Sequence, residues 1–589
     1  GPSPRPGGPA EQRVVVMATA GNSAAVQRRA TRLGIQVTRR LGVIDGFAAS
    51  GTSEALARLA ATPGVVSVSP DRAMSPMSIV PTLGYDPADT GSLSSTTQIV
   101  GAQAAWAKGY TGAGIDVAVI DTGVAPVPGL NAAGKVITGP DLSFDAPGAA
   151  TPGLDGFGHG TFMASLIAGR DASVTTSAAG CTTCLNSSGY SDTTAFVGVA
   201  PDARIVNVKV GAADGATDVS QVIAAIDWVT QHAHDPGLNI RVLNLSFGTD
   251  STQSYQLDPL AQAAEQAWKH GIVVVAAAGN EGLRAGSLAS PAYDPYLLAV
   301  GGDDTMGTLP TKDDRVPDFA QHGTLARPVD VIAPATHLLG LRVPGSFIDT
   351  LAANTGQVGA RFQRGSGTSE AAAIVSGLAA LLVQQHPEAT PDQIKALIRD
   401  GATELSPITD TTKLDAIASS LKLTAAQYAT VVDTINISYS GQGIATVGTA
   451  LEAPLPVTKQ TAAASTGTGT LEASRGGTHV VNNGVTLTGE KDIFGRAFSS
   501  KAMAAAQVSG TAWTGGKWNG SRWSGDGWSG SRWSSTTWAG TDWAGSRWSG
   551  SRWSGMAWDG SRWSGTGWSG SRWSGQEWAG SRWSSSTWS

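Results

Sequence analysis

The chain is 589 residues long, more than one domain needs and ample for a buried core. Its net charge of −6 is mild for that length, so composition suggests no general nucleic-acid or membrane-surface role. No apolar run reaches the ~18–20 residues of a membrane-spanning helix.

In chain order, the sequence opens Gly1-Pro2 with neither Met nor signal peptide, so an upstream segment is expected to have been removed. Residues 13–73 then form the first patterned stretch. RVVVMATA reads as a strand, NSAAVQRRATRLG as a helix, and IQVTRRLGVIDGFAASG as two short strands. SEALARLAATPG reads as a second helix and VVSVSPD as a last strand, which predicts a self-contained α+β unit. Residues 74–95 are rich in Pro, Ser and Gly, which suits an exposed connector and a processing site.

Residues 96–453 alternate in period. IDVAVID, RIVNVKVG, RVLNLSFG and IVVVAAAG read as strands, and SQVIAAIDWVTQHAH and DPLAQAAEQAWKHG as amphipathic helices. Apolar runs alternating with helical periods predict an α/β fold, a mostly parallel sheet with helices on both faces.

Three short segments here carry chemistry. VAVIDTG ends an apolar run on Asp121 and a Gly turn; GFGHGTFMASLIAG opens a helix on His159; GSGTSEAAAIVSGLAALL places Ser369 at the mouth of a small-residue helix. Each reactive group sits at the end of an element, where a side chain is both fixed and exposed. Acyl transfer by a hydroxyl needs this set: a nucleophile, a base for its proton, and a carboxylate that orients the base. A fourth segment, VVVAAAGNEG, runs a strand into Asn280.

Together, in the chain order Asp, His, Ser, these segments resemble the subtilisin-like serine proteases (subtilases). The resemblance implies a secreted or cell-surface serine endopeptidase acting on proteins and peptides through Asp121, His159 and Ser369. By the same resemblance Asn280 donates its amide to the developing oxyanion, a contribution of roughly 3–4 kcal/mol. Ser246-Phe247-Gly248 and Ala277-Ala278-Gly279 resemble the two backbone segments lining the family's substrate cleft. Residues 13–73 resemble the inhibitory propeptides that precede such domains, chaperone their folding and place a C-terminal strand in the cleft. YSGQGIATVGTALEAP resembles the family's closing helix, while the stretches 171–195 and 405–435 exceed what a minimal member needs.

The match departs from the family just after the nucleophile. The usual Met, two small residues, Pro and His are here Glu370, Ala371, Ala372, Ala373 and Ile374. Without Pro the helix is free to run straight, which seats Ser369 slightly deeper. The Glu370 carboxylate is expected within several ångströms of His159, on the leaving-group side of the substrate site, where it would raise the imidazole pKa. A reading from another class is a catalytically silent scaffold whose flanking segments do the work; the four intact catalytic positions weigh against it.

The cysteines, Cys181 and Cys184, lie in a loop rich in Ser, Thr and Gly, with no helix start to activate a thiolate. A small loop disulfide in an oxidising compartment is expected. Two cysteines without a neighbouring His cluster make no zinc site. No cofactor is called for, and no set of calcium ligands is readable.

Residues 454–510 are dominated by Thr, Gly, Ala and Val, with THVVNNGVTLTG around an Asn-Asn-Gly turn, and read as a small β-rich module or stalk. From 511 to 589 the chain is a repeat: Trp recurs every five residues from Trp513 to Trp588, sixteen of the chain's nineteen tryptophans. Arg precedes Trp at 523, 533, 548, 553, 563, 573 and 583, so the deeper period is ten. Regular Ser-Gly turns suggest a narrow β-solenoid with ten-residue coils; the same composition also fits a disordered tail. Trp and Arg suit anchoring to cell-wall glycan or envelope, or self-association; nucleic acid is not the expected partner.

Overall fold

The computed structural model describes residues 11–522 apart from 19–21, 42–45, 71–91, 146–152, 172–195, 283–286, 352–355, 359, most of 406–436, and 483–484. Beyond 522 it describes residues 553–554, 557–560, 573–574 and 577–580. The connector, Cys181 and Cys184, most of 405–435 and most of the repeat lie outside the described residues.

Strands β1 (Glu11–Ala18), β2 (Gln36–Leu41), β3 (Gly46–Thr52) and β4 (Val65–Pro70) form an antiparallel sheet in the order β2-β3-β1-β4. Helices α1 (Ser23–Arg32) and α2 (Ser53–Ala60) complete the unit, and the Thr52 side chain caps α2 by accepting from the Ala55 N–H. Val16, Val26, Ala30, Ile35, Phe47 and Leu59 belong to a core of its own, separate from the main one. The element order is the one read from the sequence.

Two short helices, α3 (Leu93–Ile99) and α4 (Ala102–Ala107), lead into a seven-stranded sheet. Its strands are β5 (Asp116–Asp121), β6 (Val136–Asp141), β9 (Arg204–Lys209), β10 (Ile240–Leu245), β11 (Val273–Ala277), β12 (Leu298–Asp303) and β13 (Val331–Pro334). A two-residue antiparallel pair, β7 (Arg170–Asp171) and β8 (Phe196–Val197), lies outside it. The sheet runs β13-β12-β11-β10-β5-β9-β6 and every pairing is parallel. Every residue of β5, β11, β12 and β13 is buried, which requires cover on both faces and explains their near-continuous apolar runs.

Helices α5 (His159–Ala168), α6 (Val219–His232), α7 (Pro259–Lys269) and α8 (Phe347–Leu351) follow. Then come α9 (Thr368–Gln385) and α10 (Pro391–Asp400). Helix α9 packs against α5 and lies along β10 to β13; α6 and α7 pack on each other. Asp218 and Asp258 cap α6 and α7 by accepting from Ser220 N and Leu260 N. The chain leaves β5 toward β6 on one side and leaves β9 toward β10 on the other, the kind of reversal in strand order at which open α/β sheets place their crevices.

The stretch expected to be a closing helix ends in turns instead. Ile444 bridges Ile332 of β13 and also Thr403, and Gly441 and Gly443 take positive φ of 58° and 104°. A Cβ on Gly443 would meet the Thr403 carbonyl at 2.1 Å, so backbone packing rather than helical period governs the segment.

Residues 454–522 also differ from the expected β-rich module. They carry helices α11 (Leu471–Arg475) and α12 (Ser500–Val508), a two-residue hairpin at Val481–Asn482 and Val485–Thr486, and a small antiparallel meander from Trp513 to Arg522. The segment is a strap over α6 and α7. Arg475, fully buried, pairs with the α6 cap Asp218 at 2.7 Å, and Ser474 donates to the α7 cap Asp258 at 2.6 Å. Leu471, Leu487, Ile493, Phe498, Trp513 and Trp518 all join the main core. Composition misled because six large side chains, not the many small ones, set where the segment lies. The first two tryptophans of the repeat therefore belong to the folded body rather than to a separate tail.

Further along, Trp553 pairs with Trp573 and Trp558 with Trp578, both in parallel. The offset is twenty residues, twice the expected coil.

Candidate active site

Asp121 ends β5 at the crevice, and its Oδ1 accepts the Thr122 N–H at 2.7 Å. His159 opens α5 after Gly158, whose φ of 105° admits the sharp entry. The β5 exit and the α5 start touch: a Cβ on Gly160 would lie 2.2 Å from the Gly123 carbonyl. That approach brings His159 Nδ1 to 2.7 and 2.9 Å from the two oxygens of Asp121. A carboxylate only accepts, so Nδ1 carries the proton and Nε2 is left with its lone pair. His159 Nε2 is buried and has no partner among the described residues. Burial works to lower the imidazole pKa, but the charge and hydrogen bond of Asp121 outweigh it, and the net direction is upward.

Asp155 was not singled out in the sequence, yet it braces this corner. Its carboxyl accepts from Thr122 Oγ1 (2.9 Å), Phe157 N (3.1 Å), Gly158 N (2.6 Å), Thr161 N (2.9 Å) and Thr161 Oγ1 (2.7 Å). Its one sequence signal is an Asp entering a Gly-rich turn just before a helix. Burial raises its pKa against those five donors.

Ser369 is the second residue of α9 and is fully buried; the helix runs eighteen residues without interruption. Its Oγ lies 3.4 Å from the Ser246 carbonyl, to which it donates, rather than on His159. Ser246 Oγ in turn donates to the Ser369 carbonyl at 3.2 Å and accepts from Asn244 Nδ2 at 2.9 Å. Catalytic hydrogen bonds are commonly loose before substrate binds.

Asn280 follows β11 by three residues. Its Oδ1 accepts from the Thr368 N–H at 2.9 Å and from Thr368 Oγ1 at 3.0 Å, and Thr368 Oγ1 accepts from Gly279 N at 3.1 Å. Only oxygen can accept an N–H, so these contacts fix the amide orientation and make Nδ2 the donor end. Gly279 has φ 110°, and a Cβ there would lie 2.1 Å from Gln321 Oε1. Thr368 carries no signal of its own in the sequence, because its role lies in contacts with Gly279 and Asn280, 88 or more residues away.

Strands β10 and β11 are neighbours, with Leu245 opposite Ala276, so the two expected cleft segments leave the sheet side by side. Ser246 is buried, Phe247 and Gly248 half-buried. Ala277 and Ala278 are buried, and the Ala278 N–H and carbonyl are already engaged by Val300 O and Ala289 N at 2.9 Å each. These two wall the crevice rather than offer it groups.

Glu370 does not meet its expectation. Its side chain is fully buried, and among the described residues neither oxygen has a hydrogen-bond partner from another residue. Burial drives its pKa well above the carboxylate range, with Asp121 adding to the rise, while its own backbone N–H works the other way. Burial thus favours the protonated form, and the carboxyl is turned into the protein rather than exposed on the leaving-group side.

Among the described residues, no group of three or more His, Cys, Asp or Glu forms a metal site, and no helix is long and apolar enough to cross a membrane.

The profile of the subtilase family (peptidase S8) matches residues 112–422. Serine protease AprX of Bacillus subtilis is 35% identical over 297 residues, 49% of this chain and 62% of AprX; the chain thus spans under two thirds of that relative. Subtilisin Savinase of Lederbergia lenta is 32% identical over 306 residues, 52% of this chain and 90% of Savinase. Fervidolysin from Fervidobacterium pennivorans, a keratinolytic enzyme whose crystal structure is known, aligns at 24% identity and TM-score 0.43 over 77% of this chain and 63% of its own.

Proposed function

Because this chain belongs to the subtilase family, we propose that it is a serine endopeptidase made as a self-inhibited zymogen. The observation that carries the reading is the Asp121–His159 pair at 2.7 Å, with Nε2 unpartnered among the described residues. Ser369 Oγ attacks the scissile carbonyl carbon as its proton passes to His159 Nε2; the carbonyl π electrons move onto oxygen. Asp121 holds the imidazole and balances its charge, and Asn280 Nδ2 with the Ser369 N–H receives the oxyanion. His159 then returns the proton to the leaving amine, and water hydrolyses the acyl-enzyme by the same route. Metal chemistry is not needed for any of these steps.

In this reading residues 13–73 are the inhibitor in cis and 96–453 the catalytic domain. The last strand, β4, adds to the cleft edge as a product-like ligand, and self-cleavage falls within 74–95. The protein acts outside the cell or at its surface, which the closely spaced Cys181 and Cys184 suit. The repeat beyond the strap anchors it to glycan or envelope or joins copies. The test is a fluorophosphonate serine label: Ser369 is labelled in the active protein, and Ser369→Ala abolishes labelling and cleavage. Absence of labelling in the processed wild-type protein would overturn the reading in favour of a silent scaffold.

A further inference from the structure

Three carboxyls crowd the active corner, and they are treated differently by their surroundings. Asp121 accepts from His159 Nδ1 and Thr122 N. Asp155 accepts five donors. Glu370, the residue after the nucleophile, is as buried as either, and among the described residues neither of its oxygens has a partner from another residue. A buried carboxylate survives only with donors or a counter-charge. Two of the three have them.

We propose that Glu370 is a positioning residue for Ser369, whose carboxyl must stay protonated for the nucleophile's turn of α9 to hold its place, and whose ionisation shuts the enzyme down on the alkaline side. The proposal rests on the peptidase reading and adds a regulation to it.

Among the described residues, the groups on the elements packed around α9 leave no cation to take up the charge. Strand β5 brings Asp121, already paired with His159 of α5. Strand β10 brings Arg241, which donates to the carbonyls of Gly271, Pro387 and Ala389. Strand β12 brings Asp303, itself a buried acid facing Asp314. Helix α10 brings Lys395 and Arg399, both at Asp330. Strands β11 and β13 carry no titratable residue. Asp121 is the charge that acts on Glu370, and it acts against ionisation.

Deprotonation therefore puts an unpaired, buried negative charge one residue from Ser369, beside the oxyanion of the proposed reaction. Repulsion of that oxyanion and displacement of the first α9 turn toward solvent both lower the rate.

The experiment compares pH profiles of kcat/KM for the processed wild-type enzyme, Glu370→Gln and Glu370→Met, with the rate of fluorophosphonate labelling measured across the same range. Expected is a one-proton fall of tenfold or more in both rates of the wild type as pH rises, reversed on return to neutral, and a plateau in the same range for both variants. Wild-type rates that stay level to the alkaline unfolding limit overturn the proposal without any variant. So do Gln or Met profiles that fall together with the wild type. Failure of the peptidase reading looks different, because Ser369 is then unlabelled at every pH.

Discussion

Trp518 donates its indole N–H to the Asp227 carboxyl at 2.7 Å, which ties the second tryptophan of the C-terminal repeat into the side of α6. Trp518 is fully buried and stacks in tilted contact with Phe498, at 5.7 Å between ring centroids. Trp518→Ala is expected to cost about 3–5 kcal/mol through the cavity and the lost acceptor partner. Urea unfolding of the processed protein measures it; a loss under 1 kcal/mol would mean that the strap does not stabilise the catalytic body.

Asp227 adds a pH signature. Burial raises its carboxyl to about 7, against the hydrogen bond from Trp518. A folded pKa above the unfolded value of about 3.9 means that the native state holds the proton longer. The stability it contributes is full below about pH 4, drains as pH rises and is gone above about pH 7. Asp227→Asn, which keeps an oxygen for Trp518, is expected to flatten the slope of unfolding free energy between pH 4 and 7. An unchanged slope would place the proton elsewhere.

The buried pair of Arg475 with the α6 cap Asp218 should be costly to break. Arg475→Ala leaves Asp218 buried and unpaired, and is expected to destabilise by about 3–5 kcal/mol. Arg475→Met combined with Asp218→Ser, a neutral residue that can still cap, should recover most of that loss. Thermal unfolding of both variants decides whether charge or volume is at stake.

At the oxyanion site, Asn280→Ala is expected to lower kcat by about 10²–10³ with KM little changed. Thr368→Val removes one of the two contacts that fix the Asn280 amide and should cost about tenfold in kcat. Equal losses for a Thr368→Ser control, which keeps the hydroxyl, would show that the methyl rather than the hydrogen bond matters.

The acid limb of kcat/KM follows from His159. The base must be neutral to take the Ser369 proton, and its pKa is raised from 6.5 because Asp121 outweighs burial. Activity should thus fall, as pH drops, at a higher pH than an ordinary imidazole would set. Asp121→Asn removes the charge and the correct tautomer, and is expected to cost about 10⁴ in kcat. A limb at or below 6.5 in the wild type would contradict the Asp121–His159 geometry.

Much of the fold is legible in the chain because the central strands are buried on both faces. IDVAVID, RIVNVKVG, RVLNLSFG and IVVVAAAG appear as β5, β9, β10 and β11, and SQVIAAIDWVTQHAH and DPLAQAAEQAWKHG as α6 and α7. Asp121 and His159 were legible because each ends or opens such an element. Thr368 and Asp155 were not, since their roles lie in what they donate to or accept from across the crevice. The 439–454 stretch departs from the closing helix its resemblance implies, because the helix at 437–440 stops at Gly441 (φ 58°) and Gly443 is held against the Thr403 backbone.

By itself the sequence determined the elements, their order and the chemical kinds of the reactive groups, because local period and turn chemistry are properties of neighbouring residues. Only the tertiary structure decided which groups meet. His159 and Asp121, 38 residues apart, are brought together by the Gly123–Gly160 approach. The same packing turned Glu370 inward and, among the described residues, left its carboxyl without donors from other residues. It also drew Trp513 and Trp518 out of a uniform repeat into the core beside α6. Burial and partner choice depend on everything that closes over a side chain, and no pattern within one segment carries that information.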